Sequence, residues 1–189
     1  MKILPLLLAT LLPLSAQTGE KIVAAARKQI GVTLSYDPSY TALDFPNGDV
    51  PADRGVCTDV VIRALRVGLT TDLQQLVNQD MRANFSTYPK NWGLSKPDRN
   101  IDHRRVPNLQ TWFKRQGYQL ALTQEKAPAK FLPGDIITCI VPPHLPHIMI
   151  VSDKKSDTGI PWIIHNIGSG TLEENRLFQF EITGHYRIK

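Results

Sequence analysis

The segment Leu132-Pro133-Gly134-Asp135-Ile136-Ile137-Thr138-Cys139-Ile140-Val141, followed after a Pro-rich turn by His147-Ile148-Met149-Ile150-Val151-Ser152, divides the chain into two regimes. A Pro-Gly-Asp turn leads into a short apolar run rich in β-branched residues, and a second such run follows. Together they predict neighbouring strands from Ile136 to Val141 and from His147 to Ser152. Downstream, Trp162 to Ile167 and Phe178 to Ile188, the latter broken at Gly184, read the same way. Upstream the apolar period is helical. Thr18 to Ile30 has a capping residue at its start and Gly31 at its end. A second helix opens at or just before Cys57, carries Val60, Val61, Ala64, Leu65 and Val67, and closes at Gly68. Asp72 to Ala83 is a third, with Leu73, Leu76, Val77 and Met81 facing inward, and Pro107 to Gln116 a fourth, with proline where the first turn permits it. Tyr36 to Arg54 and Phe85 to Val106 are irregular, and an irregular stretch as long as the second is usually functional. Helices first and strands later, without βαβ alternation, predict an α+β fold in which N-terminal helices pack on a mainly antiparallel sheet.

The 189 residues suit one domain with one sizeable core. Apolar residues make up 42% and charged residues 21%, which excludes the disordered and collagen-like classes. Residues 1–16 read as a signal peptide: Lys2 is a short basic start, Ile3 to Leu14 is apolar, and Leu14-Ser15-Ala16 offers a small-residue cleavage site. The apolar run is too short to span roughly 30 Å of hydrocarbon, which takes about 20 residues. The expected mature protein, residues 17–189, is therefore a single periplasmic or secreted domain, a monomer without stable membrane insertion. Its net charge of +5, counted with Lys2, suits a polyanionic envelope, but no basic run with interleaved aromatics points to nucleic acid.

Chemistry is carried by Gly55-Val56-Cys57-Thr58-Asp59-Val60-Val61, which places Cys57 where a polar loop enters a helix. Free N–H groups there stabilise a thiolate and can hold the oxyanion formed when it attacks a carbonyl. The bland alternative is a small buried hydrophobe. His147 begins one strand and His165 lies in the next, so a hairpin would set both imidazoles on one sheet face. A thiol, a base and a third group that orients the base make a nucleophilic site. Each histidine is equally open to reading as a strand residue satisfied by a backbone partner.

The order of these features resembles the NlpC/P60 and CHAP groups of papain-like hydrolases. More closely, Gly48-Asp49-Val50-Pro51, Gly55 to Ala64, Asp102-His103-Arg104-Arg105-Val106-Pro107-Asn108-Leu109 and His165-Asn166-Ile167-Gly168-Ser169-Gly170 are similar to the DUF1287 family, over most of the chain from Ile22 to Arg187. The resemblance implies a papain-like, NlpC/P60-type fold with Cys57, His147 and His165 at the triad positions; no cofactor and no metal are expected. One departure bears on substrate. NlpC/P60 proteins have Asp before the nucleophile and Ser-Gly after it, whereas Val56 and Thr58-Asp59 stand here, so the usual peptide-subsite contacts do not carry over.

Asp53 and Arg54, upstream of the nucleophile, and Arg104 in the long loop are candidate substrate-binding residues. Their alternatives are a solvated loop pair and an internal salt bridge. Tyr36 could border the cleft or simply pack, His185 reads as structural, and Asn166 should point away from His165. Cys139 fits a buried inert thiol, with a Cys57–Cys139 disulfide left open. Compartment and chemistry lead to an exported cysteine peptidase or amidase acting on peptidoglycan or another cell-envelope peptide, dependent on a lowered thiol pKa. A non-catalytic envelope-binding module and an acyltransferase using the same Cys-His site are the competing readings. A metal site built from Cys57, His147 and His165 with His103 or His144 matches no zinc spacing.

Overall fold

The computed structural model describes residues 14–122 and 127–189. Most of the expected leader therefore lies outside the described residues. Helix α1 runs from Leu14 to Arg27, so Leu14-Ser15-Ala16 forms its first turn; its start lies four residues, and its end three, earlier than the capping signals predict. Helix α2 is Cys57–Leu69, α3 is Leu73–Asn84 and α4 is Val106–Arg115. Gly68 does not end α2; the chain continues to Thr70, which takes the left-handed conformation at φ 56°.

Strands β3 (Ile136–Val141), β4 (Leu145–Lys155), β5 (Pro161–Asn166), β6 (Thr171–Glu174) and β7 (Glu181–Tyr186) form a sheet ordered β6-β5-β4-β3-β7, antiparallel at every pairing. The irregularity expected at Gly184 is a register shift between β3 and β7, where Thr138 faces Gly184 but Cys139 faces Ile182. Before α2, the two-residue strands β1 (Ser35–Tyr36) and β2 (Arg54–Gly55) pair in parallel and bring the ends of the first irregular segment together.

The middle strand, β4, explains the packing. Ile148 and Ile150 face a core shared with Ile22 and Ala26 of α1, Val61 and Leu65 of α2, and Phe113 of α4. Met149 and Val151 face a second core with Phe131, Ile137, Ile163 and Leu177. Period-two alternation thus buries both faces of the strand, and every side chain from His147 to Ser152 is buried. Complete burial of a Leu, Ile or Val side chain contributes about 1.5–3 kcal/mol, so α2, pressed between α1 and the sheet, is firmly placed. Its first turn carries the site.

Candidate active site

The elbow before α2 is built by local geometry. Val56 is extended, and helical hydrogen bonding begins at Cys57. Asp59 turns back so that its carboxylate accepts the Val56 N–H at 2.6 Å. Glycine is required at position 55, because a Cβ there would lie 2.9 Å from Asp59 Oδ2 and 3.0 Å from Asp59 Cβ. Arg104 closes the elbow from the second irregular segment, its Nε and Nη2 each donating to the Asp59 carboxylate at 2.9 Å. The Thr58 hydroxyl donates to the Arg104 carbonyl at 3.0 Å, and both members of the ion pair are buried.

Strand β4 supplies the other half. The Cys57 sulfur lies beside the backbone N–H groups of Ile148 and Thr58 and the Tyr36 hydroxyl, each of which favours its ionised form. Ile148 directly follows His147, so the sulfur rests against the opening of the strand that carries the histidine. His147 Nε2 lies 2.8 Å from His165 Nδ1, with the two rings at 72°. His165 Nε2 lies 3.0 Å from Glu174 Oε2. The direction of this chain follows from valence. An ionised carboxylate only accepts, so His165 carries its proton on Nε2, its Nδ1 accepts from His147 Nε2–H, and His147 Nδ1 is left with a lone pair. That nitrogen is the one available to a thiol.

Burial governs the protonation of these groups. It pushes the Cys57 thiol up to about 11, with the nearby Asp59 carboxylate adding to the rise and the Ile148 N–H opposing it. It pushes His147 down to about 3, assisted by His165, and lowers His165 against the pull of Glu174. Desolvation disfavours whichever form is charged, so the resting site holds a neutral thiol and neutral imidazoles. The lowered thiol pKa expected from a helix start is not found: the field of the helix terminus is outweighed by burial of the sulfur and by Asp59.

A cleft of about 350 Å³ opens beside Cys57, lined among others by Tyr36, Trp92, Arg105, Pro107 and Pro146. The remaining residues singled out from the sequence divide clearly. Asp53 and Arg54 stay at the exposed edge, paired at 3.3 Å, with Arg54 also 3.6 Å from Asp37. Arg104 borders the cleft, but its guanidinium is committed to Asp59 and to the Asp37 and Ser39 carbonyls. Asn166 points away from the imidazoles and donates to the Ser35 and Gly55 carbonyls, fastening β5 to β1 and β2. Gly170 is part of the same fastening, since a Cβ on it would lie 2.3 Å from the Thr33 carbonyl oxygen. His185 is held by Asp135 at 2.7 Å and stacks on Phe131. His103 is buried and His144 exposed. Cys139 is a free buried thiol directly across the sheet from His147.

Glu174 was not foreseen. Its one signal is Gly168-Ser169-Gly170, a turn after β5 that folds Thr171-Leu172-Glu173-Glu174 back alongside His165. Arg105 belongs to the Asp102-His103-Arg104-Arg105 run, whose arginines suit a substrate carboxylate or phosphate, whereas Trp92 has no signal beyond its place in the long irregular segment.

A family model described as "Domain of unknown function (DUF1287)" matches residues 23–188. The chain belongs to the DUF1287 family. A relative, the "Uncharacterized protein YijF" of Escherichia coli (strain K12), is 50% identical over 178 residues, covering 94% of this chain and 85% of that protein. The crystal structure of an N-acetylmuramoyl-L-alanine amidase from Bacteroides uniformis ATCC 8492 superposes with a TM-score of 0.55 at 13% identity, covering 92% of this chain and all of that one. This likeness is one of fold. The α+β architecture expected from the order of the elements is the one observed. No helix among the described residues is long and apolar enough to cross a membrane.

Proposed function

We propose that this DUF1287 protein is an exported cysteine hydrolase that cleaves an amide bond in peptidoglycan, within a stem peptide or between glycan and peptide. The observation that carries this reading is the chain Glu174–His165–His147, which leaves a lone pair on His147 Nδ1, on the residue next to Ile148, whose backbone N–H faces the sulfur at the head of α2, where Cys57 lines a cleft. Cys57 is the nucleophile and His147 its base; His165 and Glu174 position that base. The NlpC/P60-like reading of the sequence and the amidase of similar fold favour peptidoglycan, and the leader over residues 1–16 would deliver the protein to it.

The thiol is neutral at rest, so His147 removes its proton as the sulfur attacks rather than beforehand. Sulfur bonds to the carbonyl carbon, and the oxyanion takes hydrogen bonds from N–H groups at the α2 terminus and from the Tyr36 hydroxyl. The imidazolium of His147, steadied through His165 by Glu174, gives its proton to the leaving amine. Water, deprotonated by the same histidine, then releases the acyl group. General-base catalysis of this kind typically contributes about 10²–10⁴-fold.

The test is mass spectrometry of peptidoglycan fragments incubated with wild-type protein and with Cys57→Ala. Wild type should release new fragments, and the variant, folded by circular dichroism, should release none. Turnover by the variant would rule the mechanism out. The deep burial of Cys57, with its raised thiol, favours one rival, a binding module that holds wall peptide without cutting it. That rival predicts binding with no fragment release by either protein.

A further inference from the structure

Arg105 is the charged group in the cleft that the chemistry above does not use. Two of the residues lining the cleft are arginines and none is acidic. Arg104 is neutralised in place by Asp59, bonded through both Nε and Nη2. Arg105 differs. Its Nη1 donates to Asp102 at 3.0 Å, its guanidinium carbon lies 4.0 Å from the centre of the Trp92 ring, and its Nε and Nη2 have no partner among the described residues. Asp102 itself is buried and does not line this cleft. The guanidinium is thus held at one corner and across one face, with its free N–H groups left for whatever enters. It stands at the N-cap of α4, a helix of ten residues with no acid in its first turn, so the helix field adds to its charge.

We propose that Arg105, braced by Trp92 and Asp102, is the subsite for a free carboxylate on the substrate peptide, close to the amide attacked by Cys57. The inference rests on the hydrolase reading of the cleft and supplies what that reading lacks, the chemical class that the site selects. One guanidinium edge with two free donors matches one carboxylate in bidentate geometry. A phosphate dianion would call for further cations, and the lining offers none once Arg104 is paired. Much of the remaining wall, with Val56, Ile101, Val106, Pro107 and Pro146, is apolar and suits short aliphatic side chains beside the acid, while Asn91 adds a polar contact. The ligand is then an acidic peptide and not a neutral glycan.

The experiment uses two muropeptides identical except that the carboxyl next to the scissile amide is free in one and carboxamide in the other. Calorimetric binding to full-length Cys57→Ala protein is measured for both, and kcat/KM on both for wild type. The free acid should bind at least about tenfold more tightly than the carboxamide, as a charge-assisted pair implies. In Arg105→Gln the ratio should collapse toward one, and Arg105→Lys should keep part of it. Thermal unfolding of each variant verifies that it is folded. Equal binding of the two peptides, or an Arg105→Gln ratio matching that of the parent, overturns the proposal. Carboxylate-selective binding without hydrolysis by wild type would sink the hydrolase reading and leave the subsite standing.

Discussion

Glu174 reaches the sulfur only through two imidazoles, so its substitution should act on turnover rather than on binding. In Glu174→Gln the amide can donate as well as accept and no longer dictates that His165 protonate Nε2. We expect kcat to fall by up to roughly 10²-fold with little change in KM, while Glu174→Asp keeps part of the rate. Unaltered kcat in the Gln variant would show that the carboxylate does not set the tautomer. Cys57 permits a prediction independent of substrate. With its thiol raised to about 11 by burial, alkylation by iodoacetamide at pH 7 should run roughly a hundredfold slower than at an exposed cysteine and climb as pH rises. Cys139, raised to about 12 by burial and then by Cys57, should be slower still. Site-resolved mass spectrometry separates the two, and fast labelling of Cys57 at neutral pH would mean a preformed thiolate.

Among the elements, the elbow depends on a pair that no single segment contains. Arg104 and Asp59 are 45 residues apart in sequence and buried together. Removing one member leaves the other charged without a partner, a loss of about 3–5 kcal/mol for buried pairs. Urea unfolding should show this for Arg104→Gln and for Asp59→Asn, and the double variant should recover part of it; strict additivity would mean the two do not interact. This pair also marks where sequence reading stops. Helix α2 and its cysteine were legible because an apolar stripe and a preceding polar loop are local signals. Arg104 was legible as a substrate contact or an internal salt bridge, but its partner Asp59 was not, since that pairing is fixed by tertiary packing. β1 and β2 were invisible because two residues in a polar loop have no periodicity. β6 was missed because Thr171-Leu172-Glu173-Glu174 is a short charged edge strand, the kind that avoids the look of a strand. With it went Glu174, whose place beside His165 is set by register across the hairpin.

For the whole molecule, the buried titratable groups fix how stability depends on pH. Burial lowers His147 to about 3 and His103 to about 4, and lowers His165 as well. Below about pH 6.5 the unfolded chain takes up protons at these positions and the folded one does not, so stability falls as pH falls. At one pKa unit per 1.36 kcal/mol, His147 and His103 should each remove roughly 2 kcal/mol by pH 5. Most carboxylates of the unfolded chain titrate lower, so this window belongs chiefly to the histidines. On the alkaline side the sign is set by the raised thiols of Cys57 and Cys139. The unfolded chain loses those protons first, and stability declines above about pH 9. Urea midpoints taken from pH 5 to 10 should therefore form a plateau between about 7 and 9 with losses on both sides. Replacing His103 with Gln should shallow the acid limb by roughly 2 kcal/mol at pH 5 relative to its own value at pH 8. A midpoint that holds or rises from pH 7 to pH 5 would mean that these imidazoles accept protons in the folded state, and with them the neutral resting pair at Cys57 and His147 would have to be given up.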